Sequence, residues 1–162
     1  QAHGLFKNNQ TAVIANPLLI NKLLPSKTTN KNFIFIGQLE KHKGVDLFIQ
    51  AAARFLDYNF LVVGGGSLEV KATSNLKVLG LKTSAEVTEL LNNSLAVIIP
   101  SRCYENSPTV IYEAAAVGTP AIAANLGGIP ELINRFGGLL FEPDNVSSLI
   151  MAIEVFMEKE LV

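Results

Sequence analysis

Only one cysteine, Cys103, occurs in the 162 residues. That excludes an internal disulfide and any multi-cysteine metal site, and it fits a reducing cytosol. Histidine is almost as scarce. His3 is terminal and His42 sits in a distant loop, so the sequence places no base beside Cys103 and a thiol nucleophile is not expected. An excess of either charge is missing as well: a formal net charge of −1 argues against a nucleic-acid partner and offers no attraction to a membrane surface. Long apolar runs are absent, since the longest are strand-sized, and no transmembrane segment is expected. No signal-peptide pattern opens the chain. The expected location is therefore cytoplasmic, with the cytoplasmic face of a membrane as the alternative.

What is present describes one compact domain with a good core: 49% of the residues are apolar and 17% are charged. Short β-branched runs alternate with amphipathic stretches. Strands are expected at 11–15, 33–37, 60–63, 77–79, 95–99, 120–123 and 138–141, and helices at 44–56, 84–92, 108–117, 129–133 and 145–157. Phe48, Ala51, Ala52 and Phe55 share one face of the first helix, and Val146, Leu149, Ile150, Ile153 and Met157 one face of the last. Both stripes read as core. Alternation with short connections implies right-handed crossovers, hence an α/β fold: a Rossmann-like three-layer sandwich with a parallel sheet covered on both sides. Ligands of such sheets bind beyond the carboxyl ends of the strands, so the loops that follow strands carry the information.

The most telling of these follows Leu95-Ala96-Val97-Ile98-Ile99, where Pro100-Ser101 ends the strand and a helix is expected to begin near Pro108. Unpartnered N–H groups at a helix start carry the positive end of the helix dipole and suit a diphosphate. Glu105 lies just before this helix, and Glu113 about one and a half turns into it. Carboxylates accept hydrogen bonds from hydroxyls, so the two acids can grip sugar and ribose while the helix start holds phosphates between them. A nucleotide-sugar fits that spacing. The plainer alternative is one solvated loop acid and one surface helix acid.

The loop after 33–36 reads Gly37-Gln38-Leu39-Glu40-Lys41-His42-Lys43-Gly44. Gly37 permits close backbone approach and Lys43 offers a cation, unless the loop is only a structural turn. Gly64-Gly65-Gly66-Ser67, after 60–63, lacks both the spacing of a dinucleotide fingerprint and the Gly-Lys-Ser/Thr ending of a P-loop. It reads either as a wall of the pocket or as a plain flexible turn. Gly80-Leu81-Lys82, after the next strand, could meet a base through its backbone. Gly127-Gly128-Ile129-Pro130-Glu131-Leu132 offers a second amide-rich surface or closes the same pocket, and Glu131 complements the dipole of the helix it begins.

Taken together, Pro100-Ser101-x-x-Tyr104-Glu105-Asn106-Ser107-Pro108-x-Val110-Ile111-x-Glu113-Ala114, then Gly118-Thr119-Pro120-Ala121-Ile122-Ala123, Gly127 to Leu132 and Gly138-Leu139-Leu140-Phe141, resemble one known family. The chain is similar to the C-terminal half of a retaining GT-B glycosyltransferase of family 4, glycosyl transferases group 1. The resemblance runs from Thr11, leaving residues 1–10 as a remnant of an interdomain connection and 11–162 as a nucleotide-sugar-binding domain. It implies a two-domain enzyme whose N-terminal, acceptor-binding half and closing helix lie outside this sequence. An isolated donor domain is expected to be inactive. The implied donor is a UDP-sugar, with GDP- and ADP-sugars as alternatives, and no cofactor or metal. The implied acceptor is a glycan or glycolipid, reached through the absent domain, in polysaccharide, lipopolysaccharide or glycolipid assembly. Peripheral membrane association of the full-length enzyme belongs to the same expectation.

Carried over position by position, the resemblance makes Glu105 and Lys43 the catalytic pair, Glu105 on the transferred sugar and Lys43 neutralising the leaving diphosphate. The amides of Thr109 and Val110 would hold that diphosphate, Glu113 the ribose hydroxyls, and Leu81 the base. Gly37, Gln38, Gly64, Gly65, Asn106, Ser107 and Pro108 complete the expected binding surface. Reaction would proceed on one face of an oxocarbenium-like centre, with the leaving phosphate assisting the incoming hydroxyl. One departure stands out. The family usually places arginine or lysine directly after the first-loop glycine, where this chain has Gln38. A lost charged hydrogen bond costs roughly 1.5–3 kcal/mol, and Lys41 or a residue of the absent domain is expected to compensate. Two other classes stay open: a GT-B-shaped epimerase or phosphorylase, recognised by acceptor-free turnover or a need for pyridoxal phosphate, and a non-catalytic nucleotide-sugar-binding module, to which Gln38 points.

Overall fold

The computed structural model describes residues 31–160. The strand expected at 11–15 and the connection expected at 1–10 lie outside the described residues. The chain runs β1 (Asn32–Ile36), a 3-10 turn (Lys41–Lys43), α1 (Val45–Arg54), β2 (Asn59–Val63), β3 (Leu76–Gly80), α2 (Ser84–Asn92), β4 (Ala96–Ile99) and α3 (Thr109–Ala116). It continues through β5 (Ala121–Ala124), α4 (Ile129–Phe136), β6 (Gly138–Phe141) and α5 (Val146–Glu160). The six strands among the described residues form one parallel sheet in the order β3-β2-β1-β4-β5-β6. From β1 the chain fills one side of the sheet outward to β3, then returns to β4 on the other side of β1. The onward connections of β1 and β4 therefore leave in opposite directions, and between them a doubly wound sheet opens a crevice.

The two-residue alternation of the strands divides the core. Phe33 and Phe35 of β1, with Ala96 and Ile98 of β4, belong to a cluster covered by α1 and α5, whereas Ile34, Val97 and Ile99 belong to one covered by α2, α3 and α4. Burial on both faces is why these strands read as unbroken apolar runs. Rings close the first cluster, with Phe48 and Phe60 centroids 5.1 Å apart and Phe33 and Phe60 5.4 Å apart. The stripe expected on the last helix is core: Leu149 and Ile153 are fully buried, and Val146, Ile150 and Met157 pack against them. None of the helices among the described residues is long and apolar enough to cross a membrane.

Several boundaries move. The first helix starts after Gly44, α4 runs on to Phe136, and α3 begins at Thr109 with Pro108 as its N-cap rather than inside the first turn. Proline fixes φ but not ψ, and Pro108 has φ −64° and ψ 119°, so its backbone is extended while its carbonyl accepts the first helical bond from Ile111. No helix joins β2 to β3. That connection is anchored by Asn75, a buried side chain whose amide donates to the carbonyls of Ala52 (2.9 Å), Phe55 (3.2 Å) and Tyr58 (3.2 Å) past the end of α1. Asn75→Ala deletes all three bonds, while the carbonyls of Ala52 and Phe55 keep the backbone N–H groups of Phe55 and Tyr58 as donors. The expected loss is about 1–3 kcal/mol, read as a lower urea midpoint at unchanged slope.

Candidate functional site

The carboxyl ends of β1 and β4 open into a cavity of about 400 Å³. Its wall includes Gly37, Gln38, Lys43, Glu105, Pro108, Thr109, Val110 and Glu113, so residues up to 76 positions apart in sequence meet at the switch point. Lys43 arrives on the 3-10 turn that precedes α1. The loop carrying it is pressed onto the end of β4, with Gly44 at φ 72° against the carbonyl of Pro100. At the far wall α3 starts with Thr109 and Val110, whose amides find no acceptor among the described residues. These are the free donors that an anion needs.

The two acids sit in contrasting surroundings. Glu105 Oε1 accepts from Lys43 Nζ at 2.6 Å and from Ser101 Oγ at 2.7 Å. Burial pushes its carboxyl up, but the hydrogen bonds from Lys43 and Ser101 outweigh it and hold the group below the usual glutamate value. Glu113 is half-buried, and no hydrogen-bond or ion-pair partner meets its carboxylate among the described residues. Burial alone raises its pKa. An ionised acid kept ready beside a cation and a desolvated acid without a partner are suited to different hydroxyls.

A second cavity of about 220 Å³ adjoins the first, with Gly64, Gly65 and Leu81 on its wall. The glycine loop is tethered rather than free. Glu40 accepts from the Ser67 amide at 2.8 Å and from its hydroxyl at 2.6 Å. Gly64 and Gly65 thus line the second cavity just before this tether. Leu81 stands 83% exposed at the rim, free to cover a planar group. Asn106 and Ser107 border neither cavity. The Ser107 hydroxyl lies 2.9 Å from that of Tyr112, and the Asn106 carbonyl backs onto Gly128, where a Cβ would come within 2.1 Å of it. Gly128 N–H also donates to the Glu105 carbonyl at 2.7 Å, so the second glycine pair buttresses the loop from behind and adds no amides to the pocket.

Three side chains to which the sequence alone assigned no role contribute. Ser101 lies on the cavity wall and hydrogen-bonds Glu105. Arg102 bridges three loops: its guanidinium pairs with Asp46 (Nη2 to Oδ2, 2.8 Å) and Asp144 and donates to the Lys41 carbonyl, while its backbone N–H donates to His42 at 2.8 Å. The turn bearing His42, expected to be distant, is therefore bound to the loop of Glu105. Lys82 is the third, bordering both cavities. Lys41, expected to replace the missing cation, borders neither and is exposed on the 3-10 turn. The Thr83-x-x-Glu86 capping box was the signal for Lys82, since it sets where α2 begins and so where the preceding lysine lies. Among the described residues no cluster of three His, Cys, Asp or Glu side chains is placed to hold a metal ion.

A parallel sheet with this strand order and a crevice at its switch point is a Rossmann-like sandwich, the architecture of one half of a GT-B fold. Solved structures share it: a variant of S. aureus TarM in complex with fondaparinux, alpha-GlcNAc-glycerol and UDP superposes with a TM-score of 0.79 at 19% identity, over 96% of this chain and 34% of that one. Anabaena Alr3699/HepE in complex with UDP and glucose gives 0.72 at 24% identity, over 82% and 40%. Residues 20–161 match the family "Glycosyl transferases group 1", and the chain belongs to that family. It is 33% identical over 148 residues to an exopolysaccharide phosphotransferase of Streptomyces coelicolor, covering 83% of this chain and 16% of that protein. Similarity to a glycogen synthase of Mycobacterium tuberculosis is 28% over 149 residues, covering 82% and 35%. The chain thus spans about a third or less of the length of these two relatives.

Proposed function

We propose that this chain is the donor-binding half of a retaining glycosyltransferase that moves a sugar from a nucleotide-sugar, foremost a UDP-sugar, to a glycan or lipid-linked acceptor. The observation that carries this reading is the meeting of Lys43, Glu105, the free amides of α3 and Glu113 in one crevice. A diphosphate seated on the Thr109 and Val110 amides places its developing negative charge beside the helix dipole and Lys43, which supply the leaving-group stabilisation that sugar transfer requires without a metal ion. Lys43 then exchanges Glu105 for phosphate. Glu105, still ionised, accepts from a hydroxyl of the transferred sugar, and Glu113 accepts from the ribose. That HepE is in complex with UDP and glucose supports this reading.

The acceptor-binding domain of this reading lies outside the 162 residues, and the pathway is polysaccharide, lipopolysaccharide or glycolipid assembly in the cytoplasm or at its membrane face. Thermal unfolding of this chain with UDP, GDP, ADP and their sugar conjugates tests it. Ligand at a hundredfold excess over Kd adds about 2.7 kcal/mol, roughly 5–10 °C in midpoint for a chain of this size. We expect such a shift with one base and its loss in Glu113→Ala. No shift with any nucleotide would overturn the donor reading. Gln38 favours a second reading, a binding module without catalysis: it stands on the cavity wall where the family usually carries a cation. Normal donor affinity with no transfer to any acceptor, in a protein carrying both halves, would favour that module.

A further inference from the structure

We infer that Lys82 is the second cation of the donor site, meeting the nucleotide's phosphates from the β3–α2 loop and supplying the charge that Gln38 lacks. The inference rests on the donor-site reading above. Ile36, Gly37, Gln38, Lys82 and Val87 border both cavities and so form the seam between them. Of these five only Lys82 is charged, and Gln38 is the only other polar side chain. The smaller cavity, walled chiefly by Val63, Gly64, Gly65, Leu81 and Val87, has the chemistry for a base. The larger one, with Lys43 and the α3 amides, has the chemistry for a diphosphate. A nucleoside diphosphate lying across both must pass the seam, and its phosphates enter the larger cavity there.

Lys82 is also held in readiness. Its Nζ lies 2.9 Å from Glu86 Oε1, and the other Glu86 oxygen accepts from the Thr83 amide (2.9 Å) and hydroxyl (2.8 Å), which fixes the acid at the start of α2. The lysine side chain is 28% exposed and its partner 46% exposed. Exposed pairs of this i,i+4 kind are weak, whereas a charge-assisted bond to phosphate is among the strong ones, so an arriving diphosphate takes the ammonium from Glu86. Lys41 has no such access.

The test is titration calorimetry of the wild type, Lys82→Met, Lys82→Arg, and Lys82→Met combined with Gln38→Arg. The ligand is whichever of UDP, GDP and ADP binds the wild type best, with the matching nucleoside followed by ligand-observed NMR. Lys82→Met is expected to weaken the diphosphate about tenfold or more and to flatten its salt dependence while leaving the nucleoside unchanged. Lys82→Arg keeps the affinity, and Gln38→Arg restores it in the Lys82→Met background. Unchanged diphosphate binding by Lys82→Met overturns the inference. So does an equal loss of nucleoside and diphosphate, which would make Lys82 a contact to the base or a structural residue. A wild type that binds none of the three nucleotides instead removes the donor reading on which the inference stands.

Discussion

Gly44→Ala is expected to destabilise the chain by about 2–5 kcal/mol and to lower its melting midpoint by roughly 10 °C. Gly44 ends the 3-10 turn and starts α1 at φ 72°, ψ 22°, a left-handed conformation that costs an L-residue roughly 1–2 kcal/mol. Sterics add more. The new Cβ would lie 1.9 Å from the Pro100 carbonyl oxygen and 2.8 Å from its carbon, and Pro100 is buried backbone at the end of a central strand that has no room to retreat. Gly80→Ala is the control, because Gly80 has a similar φ of 68° and nothing within 4 Å of its would-be Cβ. Both substitutions stiffen the unfolded chain alike, so the difference between the two melts isolates the contact with Pro100. Equal losses would mean that the first loop does not press on β4. The same contact brings Lys43 to Glu105, so a Gly44→Ala chain that does fold should also bind nucleotide more weakly.

How far such features can be read from sequence depends on the distance over which they are determined. Local patterns carried the strands: β4 is apolar at every position because helices cover both its faces, and the glycine and proline stops around α3 bracketed it within a residue or two. The pairing of Glu105 with Glu113 across one helix start was also legible, since eight residues fix their relation through helix geometry alone. Pairings across the sheet were not. Lys43 meets Glu105 and Arg102 meets Asp46 only because β1 and β4 are neighbours in the sheet, Asp144 reaches Arg102 from the loop after β6, and nothing in any of these loops announces the others. The expectation that Lys41 compensates for Gln38 has the same origin. Proximity in sequence to Gln38 favoured Lys41, but the 3-10 turn leaves that side chain outside the pocket, while a lysine on the next loop but one reaches the seam. Asn106 and Ser107 were drawn in by their place in a motif. Their role in the fold is to seat the loop against Gly128 and Tyr112.

Lys43→Met should weaken nucleoside diphosphate binding by roughly 10- to 100-fold, the cost of one charge-assisted hydrogen bond to phosphate. It should also change how stability depends on pH, in a direction the geometry dictates. In the wild type Glu105 has a folded-state pKa below its unfolded value, so its contribution is fully present above about pH 4.5 and is lost as pH falls through the lowered value. Of the influences on that carboxyl the largest is burial, which acts upward; Lys43 and then Ser101 reverse it. With methionine at 43 the hydrogen bond and the charge of the ammonium go together. Burial then has only Ser101 and weaker influences against it, the pKa rises, and the stabilisation above pH 4.5 shrinks or changes sign. The mutant is therefore less stable than the wild type at pH 7, and the gap narrows as the pH falls below about 4.5 and through the lowered wild-type value, because protonation removes the advantage of the ionised carboxylate. Denaturant unfolding of the two chains across that range measures it directly. Curves that stay parallel from pH 7 to pH 3 would mean that the 2.6 Å pair contributes nothing to the folded state, and Lys43 would then meet the diphosphate with no competing acid to displace.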